Sequence, residues 1–584
     1  MKSENINSII YLCLLILSSA LLIFLRYDLT KFSNGVYYDL FGYMPIYSIV
    51  MLAIFISLLS IVLVYGKRMM SILGMVLIPF IYVFEVWSNY PNILARDVYL
   101  HGQVWEVSTF GNIFSIQYQY PKEYPGFFLM IYIIYQTLGL EDIRFGNLFI
   151  LYPGLMLGLI ICIYIISCKV LKDWKIATLA TFIGFNLLQF NRNEFTFLHA
   201  NTRLYSVVIL LMALYMILQC KEGEKEFLAL SALATASLTM SHVLFQLVIP
   251  LTLMIILVFS LVHGYSVRKD ILRNRLLLHA FIVALTLVII WNTYNYYNYT
   301  VKTGARSLFS YLYHMLGLEL LLSSALIRES IPPIGVILRN YYKVAIAFMT
   351  LMVFIYIVWR LLRKKLSLEE IIIVSFILSI IIVFLSTIFS TSLGNSIDRM
   401  LILYPIPLSI LFISALSKII FSRFNIITLH RSQQTSRPIR AHYVLLLILI
   451  CLAGYLLVHE GSILQAYTQP LDNASIFINS YNVRQHTYLT ATSPFDIYYV
   501  YFNPNSLLKI IRIDLINSLN DVVDVMLESP ENVKVIDIRS MLIWAYRYND
   551  LRRSLSEWNE FVLSNINKHY ILIYNNGGYE YVYY

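Results

Sequence analysis

Apolar runs long enough to cross a hydrocarbon core of roughly 30 Å recur along almost the whole chain. They fall near 9–25, 44–65, 69–87, 146–168, 174–190, 204–219, 227–241, 243–262, 276–291, 344–362, 369–389, 399–417 and 443–458. In lipid a spanning segment must satisfy its own backbone, so runs of this length are helices. Only 13% of the 584 residues are charged, against roughly 25% in soluble domains. The 46 tyrosines and 34 phenylalanines suit interfacial belts. A polytopic α-helical membrane protein with about thirteen transmembrane helices is therefore expected. The first run lacks a small-residue cleavage site and reads as a retained helix.

The net charge of +10 comes from cations in short connectors, the pattern that sets topology and not a nucleic-acid surface. Lys418–Arg440 is basic with no acid. It is expected in the cytoplasm, with Lys67–Arg68, Lys169–Lys175, Lys221–Lys225, Arg268–Arg275 and Arg360–Lys365. Parity then fixes the crossings. Residues 226–267 cross an even number of times, with a tight external turn near Ser241-His242. Residues 69–168 cross twice, which leaves the 15-residue run 126–140 as a short helix dipping into the outer leaflet. The N-terminus is placed inside. The external segments are 26–43, 88–145, 191–203, 292–343, 390–398 and 459–584.

Composition changes after residue 458. The last segment carries Asp, Asn, Ser and Arg with short β-rich runs such as VKVIDI (533–538). It closes with ILIY-NNGG-YEYVYY (571–584), two alternating runs around an Asn/Gly turn, a hairpin signal. The organisation expected is a membrane domain, 1–458, followed by a small extracytoplasmic α/β domain, 459–584. Of five cysteines, Cys13, Cys162 and Cys451 lie in apolar runs and Cys168 and Cys220 at run ends. None lies in the last domain, so no disulfide framework or zinc site is implied.

Ionisable residues beside membrane segments are costly and mark function by default. The densest cluster is in the loop 88–145, which reads ARDVYLHGQVWE (95–106) and then QYPKEYPGFF (119–128). Asp97 and His101 are four residues apart and share a face if helical. That spacing suits two ligands of one divalent ion, or a base and its orienting partner. An interfacial helix with solvated charges fits it equally. Glu123 stands two residues before Pro125, and Glu106 is less well placed. The second external loop, NRNEFTFLHANTR (191–203), offers Glu194, His199 and Arg203. Folded against the first loop, it would surround one site with Asp97, His101, Glu194 and His199. Arg203 is otherwise a headgroup anchor. His242, at an apolar hairpin tip, reads mainly as a packing histidine. Asp398-Arg399 sits where a loop enters the run 399–417. Arg399 is there to grip a lipid phosphate or to pair with Asp398. The chain has no phosphate-cradling glycine loop, no G-x-S-x-G and no CxxC, so any energy comes from the substrate or from a gradient.

These residues carry a resemblance. The acidic loop motif RDVYLH (96–101) precedes a Tyr-Pro-led short helix, EYPGFFLMIYIIYQTLGL (123–140). The stretch RFGNLFILYPGLMLGLIICIYIISCKVLKDWKIATLATFIGFN (144–186) follows. Over roughly residues 88–260 this order resembles the GT-C superfamily of polyprenyl- and dolichyl-phosphate-sugar glycosyltransferases. That group includes protein O-mannosyltransferases, the aminoarabinose lipid A transferase and oligosaccharyltransferase catalytic subunits. The tail NNGGYEYVYY resembles those of archaeal membrane proteins of this type. The chain departs from the superfamily in three ways. A helical hairpin within 9–65 precedes the acidic loop. No WWDYG-type motif is present. The Pro-Pro pair of the mannosyltransferases is Pro125-Gly126 here.

The resemblance implies a GT-C-like fold and sugar transfer from a lipid-phosphate donor to a protein, glycan or lipid acceptor at the outer face, with no nucleic acid involved. It maps the catalytic base or metal-binding acid to Asp97, an acid before the Tyr-Pro helix to Glu123, and a second-loop acid to Glu194. His101 accompanies Asp97, and His199 accompanies Glu194. Arg399 and Arg203 are assigned to the donor phosphate. A divalent metal such as Mg or Mn is compatible with the acids but not required. A secondary transporter or lipid flippase is the main alternative. It expects midplane charges and internal repeats, and neither is visible. A non-catalytic scaffold for envelope assembly is the third reading.

Overall fold

The computed structural model describes residues 124–139, 152–189, 202–219, 225–242, 245–262, 268–294, 334–363, 365–388, 403–428, 485–490, 507–512, 533–537, 572–575 and 580–583, with positions 9, 12, 13, 16, 68, 69, 72 and 75. The described helices are α1 (Gly126–Leu138), α2 (Tyr152–Leu171), α3 (Trp174–Gln189), α4 (Thr202–Gln219), α5 (Lys225–Thr239), α6 (Val248–Val262), α7 (Arg268–Tyr294), α8 (Ile334–Leu362), α9 (Leu368–Ile388) and α10 (Pro405–Thr428). The runs 44–65 and 443–458, and most of 9–25 and 69–87, lie outside the described residues, and with them the total of crossings.

Local chemistry sets the helix ends. Helix α2 stops where Lys172 turns left-handed at φ 59°, its N–H donating to the Cys168 carbonyl at 3.0 Å. Asp173 then caps α3, its carboxylate accepting from the Lys175 N–H at 2.8 Å. Ser367 and Glu370 form a reciprocal capping box on α9. The Glu370 N–H donates to Ser367 Oγ at 3.3 Å and the Ser367 N–H to Glu370 Oε2 at 2.9 Å. Helix α10 begins at Pro405 and not at 399, because the residue before a proline is disfavoured in helical conformation. Arg399, expected at the start of this helix, lies outside the described residues. At its other end α10 runs on to Thr428, into the basic connector expected from residue 418.

Helix α4 is central, packed against α2, α5, α6 and α9. Leu204, Val207, Leu210, Leu211 and Leu214 are buried along it. Helix α3 packs between α2 and α10, α5 against α7, α6 against α7 and α9, and α8 on α10. Small polar residues let helices approach closely. Ser409 Oγ on α10 donates to the Ala180 carbonyl of α3 at 3.2 Å. A methyl group on Gly184 would sit 2.6 Å from that same Ser409 Oγ. Thr252 and Ser379 share a buried hydrogen bond of 2.8 Å between α6 and α9.

The outer faces are apolar. Helix α7 exposes Leu278, Ile282, Ile289 and Ile290, and α8 exposes Phe348, Leu351, Phe354, Ile355 and Trp359. Continuous apolar surface on this scale is unsuited to water and suited to lipid. Gly154–Leu171 and Arg275–Thr293 are long and apolar enough to cross a membrane by length and composition. At 13 residues, α1 is about 20 Å long and too short to span.

The C-terminal segment contains a five-stranded sheet of order β2-β1-β3-β5-β4. The strands are β1 (Gln485–Thr490), β2 (Leu507–Arg512), β3 (Val533–Asp537), β4 (Leu572–Asn575) and β5 (Glu580–Tyr583). β1 runs parallel to β2 and β3. β5 pairs antiparallel with β3, in the register Val535↔Val582, and antiparallel with β4. Parallel neighbours need crossover connections. Those connections, like the rest of 459–584, lie outside the described residues.

Candidate active site

Three segments meet at one end of the bundle. Tyr124-Pro125-Gly126 opens α1, and the Gly126 N–H donates to the Met240 carbonyl at 2.7 Å. One orphan donor of the first turn is thereby satisfied by a residue far along the chain. Gly126 is required there: a methyl group would lie 2.6 Å from Ser241 Oγ and 3.1 Å from the Met240 carbonyl oxygen. This contact accounts physically for Gly126 after Pro125.

The receiving turn ends α5. The Ser241 and His242 N–H groups both donate to the Leu238 carbonyl at 3.1 Å, and Ser241 Oγ donates to the Ser237 carbonyl. The expected turn at Ser241-His242 is present, but Ser241 and His242 are 0% and 3% exposed. The start of α1 covers it, so it is no open hairpin tip. The His242 ring stacks on Phe245 with centroids 4.5 Å apart, which agrees with a packing histidine. Gln246 and Asn292 then exchange amide hydrogen bonds of 3.3 and 3.2 Å, tying the turn to the end of α7.

The third segment is the start of α4. Phe127 on α1 faces Tyr205 with ring centroids 6.0 Å apart, and Phe127 meets Phe128 edge-on at 5.6 Å. Tyr124, Phe127 and Phe128 are fully buried. Arg203, half-buried in the first turn of α4, is thus close in sequence to the face that receives α1. The end of the first acidic loop (Tyr124), the end of the second (Arg203, Tyr205) and the His242 turn converge. Asp97, His101, Glu106, Glu123, Glu194, His199, Asp398 and Arg399 lie outside the described residues. Glu123 directly precedes the buried Tyr124, and His199 lies three residues before Thr202, where α4 starts. Among the described residues no three His, Cys, Asp or Glu side chains gather as a metal site would require.

A second polar cluster lies at the opposite end, and sequence reasoning missed it. Glu370 on α9 is 1% exposed. Its Oε1 accepts from Tyr356 at 2.6 Å, Ser414 at 3.2 Å and Lys418 at 2.6 Å, and its Oε2 from Arg360 at 3.1 Å. One carboxylate so joins α8, α9 and α10. Lys172 approaches Glu369 at 3.7 Å, and Lys169 donates to Gln219 at 2.9 Å. The legible signal was the capping box at 367–370, S-L-E-E before an apolar run.

No family model matches the chain, and no curated protein matches it. Solved structures do. ArnT from Cupriavidus metallidurans bound to undecaprenyl phosphate is 11% identical, with a TM-score of 0.46 over 88% of this chain and 97% of that one. The Archaeoglobus fulgidus oligosaccharyltransferase in its apo form is 12% identical, with a TM-score of 0.46 over 88% of this chain and 72% of that one. The oligosaccharyltransferase AglB from the same organism, in complex with an inhibitory peptide and a dolichol-phosphate, is 11% identical, with a TM-score of 0.46 over 87% and 72%. At these identities these structures assign no role to any residue of this chain.

Proposed function

We propose that this chain is a GT-C-type membrane glycosyltransferase. In this reading it moves a sugar from a polyprenyl- or dolichyl-phosphate donor to an acceptor hydroxyl at the outer face, with inversion. The acceptor oxygen attacks the anomeric carbon as the bond from that carbon to the phosphate oxygen breaks. Asp97 takes the acceptor proton, with His101 as its orienting partner. The electron pair of the broken bond leaves on the lipid phosphate, whose growing charge Arg399 and Arg203 stabilise. Glu123, Glu194 and His199 complete the polar rim, and the extracytoplasmic C-terminal domain selects the acceptor. No step requires a divalent ion.

One observation supports this reading most. The start of α1, the start of α4 and the turn after α5 are fastened together, through Gly126 on Met240 and Phe127 on Tyr205. The two acidic loops feed directly into those first two helices. An arrangement of this kind holds two loops at one membrane surface, where a lipid phosphate and a water-borne acceptor meet. The test is transfer from a panel of labelled polyprenyl-phosphate sugars to a mixed acceptor extract by the purified chain in nanodiscs, with Asp97→Asn alongside. Transfer by the native chain and none by the variant is expected. Equal transfer by both would remove Asp97 from the mechanism. Uptake of solute in proteoliposomes without any transfer would favour a transporter.

A further inference from the structure

The bundle has a concave feature away from the proposed site. Helices α2, α4 and α5 leave a groove of ≈ 550 Å³, lined along its length by Gly158, Cys162, Val208 and Met212. That volume lies within the usual range for ligand sites, ~300–1,000 Å³. Gly158 adds no side chain to the groove wall; a methyl group there would make ordinary contact with Val208 at 3.4 Å. Ile161 and Met212 on its walls are 38% and 44% exposed, so it opens on the lipid-facing surface, where only a hydrocarbon chain can fill it.

The groove is polar at one end only. Tyr215, Gln219 and Glu226 line it there. The Lys169 ammonium donates to Gln219 Oε1 at 2.9 Å, and Gln219 Nε2 donates to the Tyr215 hydroxyl. This end of the groove thus has an exposed carboxylate from α5 among its lining residues and, one hydrogen bond behind Gln219, the Lys169 ammonium. Among the described residues no ion pair joins Lys169 to Glu226. A headgroup carrying both charges complements this pair: a phosphate oxygen for Lys169 and an ammonium for Glu226. A headgroup with a phosphate and no amine would meet Glu226 as a like charge.

We infer that the α2–α4–α5 groove binds one amine-bearing phospholipid, its chain along Gly158, Val208 and Met212 and its headgroup between Lys169 and Glu226. The lipid fills the groove and steadies α5 against α4. This site is independent of sugar transfer.

The test uses the full chain in nanodiscs of equimolar phosphatidylethanolamine and phosphatidylglycerol, released into mild detergent, with retained lipid counted by native mass spectrometry. The native chain should hold phosphatidylethanolamine about tenfold over phosphatidylglycerol, the effect of one charge-assisted hydrogen bond. Glu226→Gln should bring that ratio close to one. Met212→Trp, which fills the groove, should lose the retained lipid of either kind. Ile161→Trp fills it from the α2 side if Met212→Trp fails to fold. Equal retention of both phospholipids by the native chain would overturn the inference. So would retention that survives groove filling in a folded variant, or displacement of the phospholipid by added undecaprenyl phosphate.

Discussion

The two ends of the helical bundle are fastened by different physics. At the end holding the start of α1, the described contacts are neutral: a backbone bond from Gly126 to Met240, a paired amide between Gln246 and Asn292, and stacked rings. At the other end every ion pair formed between two described residues is found, Lys172–Glu369, Arg360–Glu370 and Lys418–Glu370. A charge spent on an internal pair is held by its partner and is not free to meet a substrate. The Gly126–Met240 and Gln246–Asn292 contacts at the first end spend no charge. The comparison teaches that fastening and chemistry are separable here, and substitutions at the two ends should show different signatures.

The largest separation is expected from Asp97→Asn. General-base contributions are about 10²–10⁴-fold, so turnover in the transfer assay should fall by that factor while the melting temperature in detergent stays put. A melting temperature that drops with turnover would make Asp97 part of the scaffold. Next comes Glu370→Ala. Removing one partner of a buried ion pair costs ~3–5 kcal/mol. This variant should therefore melt well below the native chain yet transfer sugar normally per folded molecule. Lost turnover at an unchanged melting temperature would break the division between the ends.

Smaller effects test the neutral end. Gly126→Ala forces a methyl group against Ser241 Oγ, and overpacking costs ~1–3 kcal/mol. Adding Ser241→Ala should return part of that loss, read as a coupling in a double-mutant cycle of melting temperatures. Independent, additive losses would mean that the two residues do not meet. The smallest effect is at the amide pair. Gln246→Leu alone leaves Asn292 short of a partner and should cost ~1–3 kcal/mol, whereas Gln246→Leu with Asn292→Leu should lie closer to the native value.

Much of the helical frame is legible in the sequence because hydropathy is a local property. The runs at 174–190, 204–219 and 369–389 lie within one or two residues of α3, α4 and α9. The boundaries drift where helices leave the apolar zone. Helix α7 begins at Arg268 instead of 276 and α8 at Ile334 instead of 344, because a helix continues through a polar interface to which a hydropathy window is blind. The contacts that build the candidate site are a different matter. Gly126 and Met240 are far apart in the chain, and nothing local to either marks the other. Likewise the S-x-x-E box at Ser367 was readable, but Arg360, Ser414 and Lys418 around Glu370 come from two other helices and become its neighbours only after packing.

The strand order of the C-terminal sheet bears on biosynthesis. β5 lies inside the sheet, between β3 and β4, yet it is synthesised after the other four described strands. The sheet therefore stays split until residues 580–583 emerge, with β1, β2 and β3 on one side and β4 waiting alone. Loss of residues 580–583 would not trim an edge. It would remove an interior strand and leave β4 with no neighbour among the described strands, so a lesion there should act like the loss of two strands of the five.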